Sequence, residues 1–112
     1  MQITNKVYQK ALELNLNAKV LKGLDILDVF TILYQQHNIY PQITIKTREY
    51  VESEVTYRKL DFEWTLIKVS IREDGTLNLE TLKVGRAETC SLIEAHEIAF
   101  CKAVDYINGN IK

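Results

Sequence analysis

The sequence predicts an α+β domain: an antiparallel sheet of three or four strands, built around one central long hairpin and packed by two or three helices. Three observations carry that expectation. Residues 60–84, LDFEWTLIKVSIREDGTLNLETLKV, alternate apolar and polar side chains on either side of a turn signal. Stretches before and after them repeat apolar residues at three- and four-residue spacing, the period of a helix face. Capping and stop residues stand where those helical stretches would begin and end.

Taken in order, residues 4 to about 15 predict an amphipathic helix. Thr4 is placed to cap it, and Val7, Tyr8, Ala11 and Leu12 share a face opposite Lys6, Gln9, Lys10 and Glu13. LNLNAKVLKG, residues 14–23, reads as a turn with Gly23 as a break. A more apolar helix follows from Leu24 to about His37, with Asp25 near its start, where a carboxylate suits the helix dipole. Ile26, Leu27, Val29, Phe30, Leu33 and Tyr34 occupy one broad arc, His37 falls inside it, and Asn38 with Pro41 ends the helix. QITIKT, residues 42–47, alternates as a half-buried strand, and REYVESEVTYRK reads as an extended or hairpin-like segment leading into the long strand.

Glu73, Asp74 and Gly75 form a three-residue hairpin loop in which Gly75 takes the positive φ. Counting outward, Arg72 faces Thr76, Ile71 faces Leu77, and Val69 faces Leu79, while Ser70 meets Asn78 and Lys68 meets Glu80 on the opposite side. Unbroken alternation then pairs Leu66 with Leu82 and Trp64 with Val84. The hairpin is therefore apolar on both faces at different ends: Ile67, Val69, Ile71, Leu77 and Leu79 near the turn, and Leu60, Phe62, Trp64, Leu66, Leu82 and Val84 near the base. A two-layer fold needs only one apolar face. The second must be covered by another helix of the chain, by a twin subunit, or by a different partner. The final helix, about Leu92 to Asn108, carries a Ser91/Glu94 capping box and Gly109 as its stop. Its Ala95, Ala99 and Ala103 permit close approach to the sheet, expected on the Ile67, Val69, Ile71 face.

With 112 residues, 46% hydrophobic and 26% charged, the chain has the size and composition of one globular domain, residues 1–112. No apolar run approaches a membrane span, and MQITNKVYQK lacks the apolar stretch of a secretory signal; the expectation is a cytoplasmic protein. A net charge of −1, with dispersed lysines and arginines, disfavours nucleic acid as the main partner. The basic residues Lys19, Lys22, Arg58, Lys59, Lys83 and Arg86, with Tyr50 and Tyr57, keep a nucleic-acid-binding accessory role as the alternative. Cys90 and Cys101 carry no metal or redox spacing and, with roughly 16 Å of helix rise between them, cannot bond to each other.

His37 and His96 are the only histidines and both lie on apolar helix arcs, so convergence would make a metal site or small enzyme the second alternative. No HExxH or Cys/His spacing accompanies them, and Cys101 stands about 140° round the helix from His96, poorly placed for a Cys–His nucleophile. No catalytic residue, cofactor or metal is assigned. The aromatic sheet face of Phe62, Trp64, Leu66, Leu82 and Val84 is the expected interaction surface, because aromatic anchors dominate protein interfaces.

A greasy helix ending in LYQQHNIYPQITI, then WTLIKVSIREDG, then the capped helix SLIEAHEIAFCKAVDYI, resembles small proteins encoded by bacteriophages and prophages over residues 24–108. That resemblance implies a helix, a small antiparallel sheet and a final helix, and it assigns no active-site residues. The reading that results is a non-enzymatic cytosolic interaction or accessory protein of phage or mobile-element type, contacting another protein or itself as a homodimer.

Overall fold

Thr4 starts the first helix. Helix α1 covers Asn5–Glu13, and the Thr4 hydroxyl accepts a hydrogen bond from the Val7 N–H at 3.4 Å. The computed structural model describes residues 4–14, 25–89 and 91–109; the turn expected at LNLNAKVLKG lies almost wholly outside them, as does Cys90. Helix α2 covers Ile26–His37, capped by the Asp25 carboxylate on the Leu27 N–H at 3.0 Å. It ends where Asn38 turns left-handed at φ 59 and donates its N–H to the Tyr34 carbonyl at 2.8 Å.

The chain passes from Asn38 directly into β1, Ile39–Glu52, followed by β2, Val55–Ile71, and β3, Leu77–Ala87. They form one antiparallel sheet in the order β1-β2-β3, the three-stranded form of the expected architecture. Strand β1 is much longer than residues 42–47. REYVESEVTYRK is the outer part of a second hairpin, closed by Ser53 and Glu54, both at positive φ, with Glu52 facing Val55. Two residues at positive φ match the twist of the flanking strands. Pro41 is tolerated inside β1 because an edge strand can lose one ladder N–H.

The β2–β3 turn forms as its sequence requires. Gly75 has φ +88, its N–H bonds the Arg72 carbonyl at 2.9 Å, and Arg72 donates back to Thr76 at 2.8 Å. The pairs Ile71–Leu77, Ser70–Asn78, Val69–Leu79 and Lys68–Glu80 follow, although Lys68 and Glu80 face each other without an ion pair. Beyond Ile67–Thr81 a β-bulge intervenes. Leu66 pairs with Lys83 rather than Leu82, Trp64 with Gly85 rather than Val84, and Phe62 with Ala87. One added residue therefore moves Val84 to the other face and sets Gly85 opposite Trp64, where a Cβ would overlap the indole ring.

Helix α3, Leu92–Ile107, lies on β1 and β2, with α1 packed on it and α2 against β1 and α3. Ser91 caps it by accepting from the Glu94 N–H at 3.3 Å. The expected return bond from Glu94 runs through Thr89 instead, whose hydroxyl donates to Glu94 and accepts from the Ser91 N–H, each at 3.1 Å. Gly109, at φ +76, ends the helix. Ala95, Ala99 and Ala103 are fully buried, as the close-approach reading requires, but over Phe62, Trp64 and Leu66 rather than Ile67, Val69 and Ile71. The reason is bulk. Strand β1 adds Ile39, Pro41 and Ile43 to the Phe62 side, so β1 and β2 present large apolar groups there and an alanine-faced helix accommodates them. Each such buried side chain contributes about 1.5–3 kcal/mol. Phe30 completes the core, stacking on Phe100 at 6.2 Å and meeting Tyr40 edge-on at 5.7 Å.

Candidate functional site

The aromatic face expected to bind a partner is the core of the molecule. Phe62, Trp64 and Leu66 are buried, the last completely, and Leu82 in the bulge is half-buried against the same cluster. Lys102 places its ammonium 5.9 Å from the Trp64 ring centroid, closing the indole from the helix side. The Trp64 N–H is buried and makes no hydrogen bond within the described protein. Of the five residues assigned to the interaction surface, only Val84 is open to solvent, and the bulge has put it on the opposite face.

That opposite face carries an exposed apolar patch. Alternation from the turn puts Ile67, Val69, Ile71, Leu77 and Leu79 on it, joined by Val84 beside Thr65. Ile71 is 69% exposed, Leu79 61% and Leu77 58%, while Ile67 and Val69 are half-buried by their neighbours. No described element packs over these side chains. Together they expose on the order of 500 Å² of aliphatic surface, at the upper end for the largest patch of an ordinary monomer. No charged side chain interrupts the Val69–Leu79 and Ile71–Leu77 rows. The turn beyond them carries Glu73 and Asp74, and the rows on the other side carry Thr65, then Glu63 and Arg86. The Asp74 carboxyl is held below its ordinary value by its hydrogen bonds to the Thr76 hydroxyl and N–H, so the turn stays anionic.

The outer β1–β2 hairpin forms a second exposed region. Beyond the end of β3 it is a two-stranded ribbon, on which Tyr50 and Tyr57 stack across the strands with centroids 5.3 Å apart. Arg48, Tyr50 and Lys59 line a shallow hollow on it. The ribbon's cations are largely matched: Lys46 with Glu63 at 3.1 Å, Arg48 with Asp61 at 3.5 Å, and Arg58 with Glu49 at 3.0 Å. Arg86 of β3 also reaches Asp61, at 3.1 Å. Among the described residues of the ribbon, Lys59 alone lacks a carboxylate partner. A surface paired in this way offers little net field to a phosphate backbone.

The two histidines share no hydrogen bond or ring contact with each other. His96 bonds the Leu92 carbonyl through Nδ1 at 2.8 Å and lies against Phe30, while His37 makes no polar contact at the end of α2. No group of three or more His, Cys, Asp or Glu side chains among the described residues could hold a metal. Cys101 is buried, and burial pushes its thiol above the ordinary value, away from the reactive thiolate. No helix among the described residues is long and apolar enough to cross a membrane. No protein-family model, curated protein or solved structure matches the chain.

Proposed function

We propose that this protein is a non-enzymatic accessory protein that acts by protein–protein contact through the open face of its sheet, the face of Ile71, Leu77 and Leu79. The observation that carries the reading is the exposure of those three side chains in adjoining rows of an uncharged patch. Aliphatic surface of this extent is costly to leave in water, and a contact that buries it recovers about 25 cal/mol per Å² before the costs of association. The pairing of the ribbon's cations with carboxylates favours a protein over nucleic acid as the partner. The resemblance to small phage-encoded proteins agrees with an accessory role of this kind, carried out in the cytoplasm.

Affinity capture from a bacterial lysate, with and without nuclease, tests the reading when the native chain is compared with Leu77→Lys/Leu79→Lys. Both positions are more than half exposed, so the variant keeps its fold. The expected result is a nuclease-resistant protein partner, a second copy of the chain included, that the native protein retains and the variant loses. Equal recovery by both proteins, or recovery abolished by nuclease, would count against the open face.

A further inference from the structure

We infer that the occupant of the open sheet face is a second copy of this chain, packed face to face about a twofold axis that crosses β2 and β3 near Val69 and Leu79. This rests on the reading of that face as a protein-contact surface and names its partner. Roughly 500 Å² of aliphatic surface per copy, with the polar rows at its border, approaches the 800 Å² per partner of a standard specific interface. A twofold contact needs a patch that is complementary to itself. Here the rows Ile71–Leu77, Val69–Leu79 and Ile67–Thr81 follow one another with no charge among them, so aliphatic side chains of one copy meet aliphatic side chains of the other. Two sheet faces of this kind pack about 10 Å apart with their strands nearly aligned.

Charge selects the direction of the axis. A twofold running along the strands would stack each turn on its own counterpart, setting Glu73 and Asp74 against a second Glu73 and Asp74. An axis across the strands reverses one sheet. Asp74 lies five residues from Val69, and the Glu63–Arg86 row six residues from it on the other side, about 17 and 20 Å at the rise of a strand. The acidic turn of one copy is therefore carried over the end of the other where Lys46, Arg48 and Arg86 together outnumber their carboxylate partners Glu63 and Asp61, and the Arg86 side chain spans the remaining offset. The neutral Thr65–Val84 row lies between.

Sedimentation equilibrium of the full chain between about 1 and 200 µM tests the inference. The native protein is expected to move toward twice the chain mass within that range. Leu79→Lys should weaken self-association at least tenfold, and Val51→Lys, at a side chain 71% exposed on the distant ribbon tip, should leave it unchanged. Arg86→Glu should also weaken it, and Glu73→Arg in the same chain should restore it. A monomer mass at every concentration overturns the second copy as occupant while leaving the contact reading to the capture experiment. A dimer that survives Leu79→Lys, or an Arg86→Glu defect that Glu73→Arg does not repair, overturns the proposed packing.

Discussion

Replacing Gly85 by Ala tests the packing of Trp64 at a single methyl group. Because of the bulge, Gly85 is the cross-strand partner of Trp64, and a Cβ built there enters the indole ring. The ring has little room to yield: Trp64 is 5% exposed and Lys102 sits over it. Inserting a methyl group into a packed core costs about 1–3 kcal/mol, and a backbone-anchored methyl against a fixed aromatic ring belongs at the upper end, about 3 kcal/mol. That is a large part of the 5–15 kcal/mol typical of a domain. Trp64→Leu removes the obstacle while costing about 2–3 kcal/mol of burial itself. On that background Gly85→Ala should cost under about 1 kcal/mol, giving a coupling energy of about 2 kcal/mol. Urea unfolding followed by far-UV circular dichroism reads all four proteins, including those that lack the only tryptophan. A Gly85→Ala cost below about 0.5 kcal/mol, or strict additivity with Trp64→Leu, would refute the bulged register that sets the two residues opposite each other.

Three further outcomes follow from local geometry. Lys10 ties α1 to α3 through Asp105 at 2.7 Å, and that hydrogen bond raises the lysine's pKa in the folded state; Lys10→Met should cost about 0.5–1 kcal/mol at neutral pH. A raised folded pKa means the contribution is complete below the unfolded value of 10.5 and fades as pH rises through the higher folded value, so urea midpoints of native and variant should converge at strongly alkaline pH. Ser53 and Glu54 occupy left-handed conformations that Asn and Gly adopt at lower cost, so Ser53→Asn/Glu54→Gly should strengthen the outer hairpin by about 1 kcal/mol, read as slower amide exchange in residues 48–59. Cys101 should resist alkylation in the native state and react at the rate of unfolding, as followed by mass spectrometry of its peptide.

Local chemistry was legible wherever one residue type decides the backbone. Thr4, Asp25, Asn38, Ser91 and Gly109 bound the helices, and Gly75 fixes the inner turn together with the four pairs nearest to it. The outer turn was less visible because Ser53 and Glu54 are not the residues that its backbone favours. The bulge at Leu82 left one trace in the sequence, Gly85, whose missing side chain is understandable only with Trp64 opposite. Unbroken alternation instead assigned Val84 to the aromatic face. Both hairpin faces are apolar, and periodicity cannot say which one a helix covers. The decision rests on long-range packing. Strand β1 reinforces the Phe62 side with Ile39, Pro41 and Ile43, and the alanine stripe of α3 fits over it, leaving Ile71, Leu77 and Leu79 outside. In the inner hairpin the face of Phe62, Trp64 and Leu66 therefore belongs to the core, and the face of Ile71, Leu77 and Leu79 forms the surface.

Carbene footprinting of the full chain across a concentration series tests that assignment most directly. At the lowest concentration Ile71, Leu77 and Leu79 should label heavily and Phe62 and Leu66 not at all, with the first three becoming protected as concentration rises or partner is added. Protection of Leu77 and Leu79 at every concentration, together with labelling of Phe62 and Leu66, would show that the helices cover the opposite side of the sheet.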